Sequence, residues 1–123
     1  MIGILVVAHL VLVRRALCAR LSVEPDLRVL AEADGVSAAA SLTRAQQPHV
    51  VLLDAEIPDL DLREAVQSLR AGSPRSGVVI LALDPLAVTQ QLDGEAAVVV
   101  GKHEEGTALV GAIRAAIAGG QGD

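Results

Sequence analysis

The stretch Val50-Val51-Leu52-Leu53-Asp54-Ala55-Glu56-Ile57-Pro58-Asp59-Leu60-Asp61 sets an unbroken apolar run directly before a carboxylate. A run this short, begun by two β-branched valines, suits a strand covered on both faces better than a helix. Pro58 marks the loop that follows. Asp61 and Glu64 then have the spacing of a capping box, and Leu62, Ala65, Val66 and Leu69 recur on one helical face. The segment therefore reads as strand, loop and helix, with Asp54 at the carboxyl end of the strand.

The same unit repeats outward in both directions. Apolar runs lie at 2–8, 27–33, 78–83 and 96–101. Helical patterns separate them: Leu10, Val13, Leu17 and Leu21; an alanine-rich stretch over 36–47 that stops at Pro48; a barely two-turn segment over 85–92, begun by Asp84 and Pro85; and Leu109, Ala112, Ile113, Ala116 and Ile117, with Gly119-Gly120 as the expected stop. Strands alternating with helices imply right-handed crossovers and a parallel sheet covered on both faces. The runs at 4–7, 50–53 and 78–81 are continuously apolar and belong in the centre. The run at 27–33 carries Arg28 and Glu32 and belongs at an edge. The expected fold is an α/β three-layer sandwich with a five-stranded parallel sheet in the order 2-1-3-4-5. Residues 1–118 form the domain, and 119–123 read as a flexible tail or the start of a linker. Ligand sites in such sheets lie beyond the carboxyl ends of the central strands, which brings Ala8, His9, Asp54 and Ala82 around one crevice.

Composition narrows the function. The chain has 123 residues, with 10 basic against 15 acidic and no Phe, Tyr or Trp. It has neither a basic stripe for a phosphate backbone nor an aromatic platform for bases, so DNA contact would need a segment outside this chain. The single cysteine, Cys18, excludes a disulfide framework and reads as a small core residue. The apolar start, 1–13, has no cationic residue ahead of it and is shorter than the ~20 residues a membrane span needs. A cytoplasmic protein is expected. His49 and His103 have no neighbours in sequence that suggest a metal site. No glycine-rich phosphate loop is present.

With these elements in place, 50–61 resembles the phosphoacceptor strand and loop of response-regulator receiver domains, a flavodoxin-like (βα)5 family. Lys102, after Val98-Val99-Val100-Gly101, falls where the receiver lysine sits. Ile4-Leu5-Val6-Val7, Leu12-Val13-Arg14 and the last helix resemble the NarL/FixJ (LuxR-type) subgroup. The resemblance implies a two-component signalling module without enzymatic activity of its own. It also implies which positions carry phosphorelay chemistry. Asp54 matches the phosphoacceptor and Lys102 the phosphate-site lysine. The two acidic positions after the first strand are Ala8 and His9, the hydroxyl position ending the fourth strand is Ala82, and the aromatic position on the fifth strand is Val99.

Phosphoryl transfer depends on positioning and on neutralising the transferring oxygens, and Mg²⁺ wants hard oxygen ligands. Only Asp54 and Glu56, by its carbonyl or its side chain, remain to offer them, so no cofactor is expected, or weak Mg²⁺ at most. The resemblance thus implies an atypical receiver that regulates a transcription factor's assembly or DNA binding without Mg²⁺-dependent phosphorylation. The alternatives are a small-molecule-sensing module, with an effector in the strand-end crevice, and a stand-alone protein-interaction domain. A homodimer is expected through Ala108, Ala112, Ala115 and Ala116 of the last helix, with Arg14, Arg15 and Arg20 at its rim. His9 and Lys102 are expected to neutralise Asp54 together. Asp54-Ala55-Glu56 also loosely resembles the D-x-D loop of haloacid-dehalogenase phosphatases, but it follows the third strand rather than the first.

Overall fold

The structure, a computed structural model, describes residues 1–104 and 106–121. Strands and helices alternate as β1 (Ile2–Val7), α1 (Val11–Ser22), β2 (Leu27–Ala33), α2 (Val36–Gln46), β3 (Val50–Asp54), α3 (Leu62–Gly72), β4 (Gly77–Ala82), α4 (Pro85–Leu92), β5 (Val98–Gly101) and α5 (Gly106–Gln121). The strands form one parallel sheet in the expected order, β2-β1-β3-β4-β5.

The period-2 alternation of side chains sorts the central strands into two cores. Leu5, Val7, Val51, Leu53 and Ile80 are buried under α2, α3 and α4, with Leu62, Val66, Leu69 and Val88 packed on them. Ile4, Val6, Leu52, Val79 and Leu81 are buried on the other face, under Leu21 of α1 and Leu109, Val110 and Ile113 of α5. β2 is the edge, with Arg28 and Glu32 exposed.

Its pairing with β1 slips between Ile4 and Leu5, where Ile4 faces Val29 and Leu5 faces Ala31. The unpaired residue, Leu30, folds over Gly3, where an added Cβ would lie 2.6 Å from Leu30 Cδ1. This bulge was not foreseen, because apolar patterning is silent about one extra residue.

Caps formed as expected. The Asp61 side chain accepts the Glu64 N–H at 3.1 Å, and Asp84 accepts the Ala87 N–H at 3.1 Å at the start of the eight-residue α4. The end of α5 differs from expectation. Its helical course passes through Gly119 and Gly120 to Gln121, since glycine permits a stop without imposing one. Of the expected tail over 119–123, residues 122 and 123 lie outside the described residues.

Ala116 also differs from expectation. It is buried against β4, where Gly77 lets the helix approach until an added Cβ would stand 3.0 Å from the Ala116 Cβ. It is therefore core and offers no dimer surface.

Arg114 clamps α5 to the α1–β2 turn. Its Nε donates to Asp26 Oδ2 at 3.0 Å and its Nη2 donates to Asp26 Oδ1 at 2.9 Å and to Glu24 Oε1 at 3.2 Å. The hydrogen bond from Arg114 holds the Asp26 carboxyl below its usual value. A carboxylate with a depressed folded-state value stabilises the fold above its unfolded value, and this is lost as pH falls through the folded one. Urea denaturation should therefore find Asp26→Asn less stable than wild type at neutral pH. The gap should narrow as pH falls through the lowered folded-state value of Asp26 and close below it. A gap independent of pH would mean that the clamp acts through packing alone.

Candidate functional site

Asp54 ends the central strand, and its carboxylate is buried at the sheet's carboxyl edge. The Ala55 N–H donates to the Leu81 carbonyl at 2.9 Å, so β4 fixes the strand end. Asp54 Oδ1 accepts the Glu56 N–H at 3.0 Å and lies 2.7 Å from Lys102 Nζ. The two side chains are 4% and 23% exposed, so the pair is largely withdrawn from water.

Lys102 is placed by the turn after β5. Its own N–H donates to the Ala82 carbonyl at 2.8 Å, and the Gly101 N–H donates to Glu104 Oε2 at 2.9 Å. Glu104 thus holds the turn that aims Lys102, a role the sequence did not suggest. A helix-start carboxylate with no motif around it carries no such signal.

The other matched positions surround this pair unequally. Ala8 is buried; its N–H donates to the Ala33 carbonyl at 3.0 Å and its carbonyl accepts from Arg14 Nη1 at 2.8 Å. Arg14 also pairs with Glu32 through Nε at 3.3 Å, tying α1 to the edge strand. Arg14 was expected at a dimer rim and instead braces β1, while Arg20 is engaged with Glu24 at 3.4 Å. Ala82 is buried, and Val99 is partly buried against the same apolar cluster, so methyl groups fill the space of the family's hydroxyl and aromatic.

Glu56 is exposed. His9 is exposed and makes no ion pair with Asp54 among the described residues. The expectation that two cations neutralise Asp54 is corrected: among the described residues only Lys102 pairs with it. An imidazole at the start of a solvent-facing turn gains more from hydration than from reaching a carboxylate that already has its partner.

Cys18 is partly buried on the α1 side, and burial, with Glu32 adding, pushes its thiol up, away from the reactive thiolate. Among the described residues no three His, Cys, Asp or Glu side chains come together as a metal set. Mg²⁺ needs several hard oxygens at short range; here Asp54 Oδ1 faces an ammonium and the Glu56 side chain is exposed.

A parallel sheet in the order 2-1-3-4-5, ending its middle strand in a buried aspartate held by a lysine after the last strand, places the chain among the receiver domains of response regulators. The chain superposes on a two-component response regulator of the LuxR family from Aurantimonas sp. SI85-9A1 with a TM-score of 0.86 at 25% identity, covering 97% of this chain and 86% of that one. It matches the signal receiver domain of the response regulator NarL from Mycobacterium tuberculosis at 0.80 and 25%, covering 99% and 98%. Among curated proteins it is 38% identical, over 65% of its length, to a protein-glutamate methylesterase/protein-glutamine glutaminase of Cereibacter sphaeroides. It spans only 22% of that relative, matching its receiver part. No family model matches the chain.

Proposed function

We propose that the chain is an atypical receiver: a regulatory module held in one state by the Asp54–Lys102 pair, and not switched by Mg²⁺-dependent aspartyl phosphorylation. The observation that carries this reading is the 2.7 Å contact between Lys102 Nζ and Asp54 Oδ1, with Ala8, His9 and Ala82 where two carboxylates and a hydroxyl would stand. Phosphoryl transfer to Asp54 would place further negative charge on a carboxylate with one cation beside it. Among the described residues no second cation pairs with Asp54, and Ala82 stands where the family's hydroxyl would. The module itself is not an enzyme on this reading, although the curated relatives carry a methylesterase in the part that this chain does not match.

Its output is regulation through association. The LuxR-family response regulator from Aurantimonas supports control of a transcription factor. DNA contact would then belong to an output domain outside these residues. A homodimer in the cytoplasm fits this role, using the exposed Gly111 and Ala115 of α5, with the half-buried Ala108 and Ala112 beside them. An added Cβ at Gly111 would meet nothing within 4 Å, which leaves room for a partner's backbone. No helix among the described residues is long and apolar enough to cross a membrane.

The test is thermal unfolding with Mg²⁺ and beryllofluoride, a phosphoryl mimic that needs a metal beside the carboxylate. The Tm should stay where it is. A saturable rise of several degrees, absent in Asp54→Asn, would overturn the reading.

A further inference from the structure

A groove lies at the opposite end of the sheet from Asp54. An open groove of about 980 Å³ runs across the amino ends of β3, β4 and β5, walled by the α3–β4 turn and α5. Arg70, Arg75 and His49 line it, and among the described residues no carboxylate does. In a chain with 15 acidic and 10 basic residues, this is a local reversal of sign.

Each of the three lining groups offers a donor. Arg70 is held by donating through Nη2 to the Ala96 carbonyl, and its Nε–H is buried with no acceptor among the described residues. A buried donor left unmatched is rare, and an oxygen that reached it from the groove would satisfy it. His49 accepts the Gly3 N–H on Nδ1 at 2.9 Å, so its neutral ring carries the proton on Nε2 and presents a second donor. Arg75 is exposed and forms no ion pair among the described residues.

The hydroxyls nearby are already satisfied. The Ser73 and Ser76 oxygens lie 2.6 Å apart, and Ser76 donates to the Pro48 carbonyl at 2.6 Å. They therefore stiffen the turn that carries Arg75 and bind nothing themselves. The remaining wall is aliphatic, with Ala97, Val98 and Ile117, and has no aromatic face for a base.

We propose that this groove binds a small oxyanion ligand, a phosphate or carboxylate on a short non-aromatic body. The site is independent of the Asp54 pocket and of the reading given for it.

The test is an NMR titration of the whole chain at constant ionic strength, with inorganic phosphate and separately with citrate. Saturable shifts of the His49 ring and the Arg70 Nε–H are expected, with a Kd of roughly 1 mM or tighter for at least one anion. Which anion saturates identifies the class. Resonances around Asp54 should not move. Arg75→Gln, at an exposed position, should weaken binding about tenfold and leave the fold intact, and Arg70→Gln should abolish the Arg70 signal together with the binding. The proposal falls if neither anion saturates by about 10 mM, if the shifts centre on Lys102, or if Arg75→Gln binds as wild type does.

Discussion

Lys102→Met lowers stability at neutral pH by about 3 kcal/mol, because it leaves a buried carboxylate with a single N–H donor, that of Glu56. Breaking a buried pair from one side costs far more than the pair is worth, since the surviving charge must be solvated by the protein. The 23% exposure of the lysine puts the loss toward the low end of the usual range. The sign of a second change separates charge from packing. Adding Asp54→Asn to Lys102→Met should restore much of the stability, because a neutral amide needs no cation. Chemical denaturation of the four variants in the cycle measures this. A double variant that is less stable than Lys102→Met alone would mean that Asp54 contributes through contacts other than the lysine.

Leu52→Ala is expected to cost about 3 kcal/mol and roughly 10 °C in Tm. Leu52 is fully buried on the middle strand, with β1 and β4 on either side and α1 and α5 covering it. Neighbours anchored in a parallel sheet cannot collapse far into the cavity left by the lost methyls. Leu12→Ala provides the contrast. That side chain is 81% exposed, and its loss should change stability by no more than about 0.5 kcal/mol. Equal effects at the two positions would place Leu12 at an interface in solution.

The parallel sheet was legible in the sequence because physical signals agreed at each step. Val50 to Leu53 are apolar on both faces because the strand they form is covered on both faces. Arg28 and Glu32 are tolerated because β2 has an open side. The short α4 was legible from Asp84 and Pro85, whose side-chain acceptor and fixed φ start a helix.

What failed to show was everything that depends on distance through space. Leu30 folding over Gly3, and Ala116 buried on Gly77, are consequences of close approach between elements that sequence patterning cannot locate. Gly119 and Gly120 looked like a stop, but glycine permits a terminus without dictating one.

The site divides the same way. Asp54 and Lys102 were found through the resemblance of 50–61, and of the residue after Val98-Val99-Val100-Gly101, to receiver domains; the apolar runs alone give only their places at strand ends. Glu104 and Arg14 were missed because their work is to hold a backbone carbonyl or N–H in place. His9 was assigned a partner because it stands at an acidic position of the family and can carry a cation, but the residue is exposed. Arg70 and Arg75 lie at the end of α3 and in the turn after it, and His49 joins them only after folding.

The most direct test of a receiver held in one state by its lysine is intact-mass spectrometry after incubation with acetyl phosphate and Mg²⁺. The chain should keep its unmodified mass, and the Asp54→Asn variant should behave identically. Near-stoichiometric gain of one phosphoryl group in the wild type, absent in Asp54→Asn, would show that Asp54 is still a working phosphoacceptor and would contradict the account.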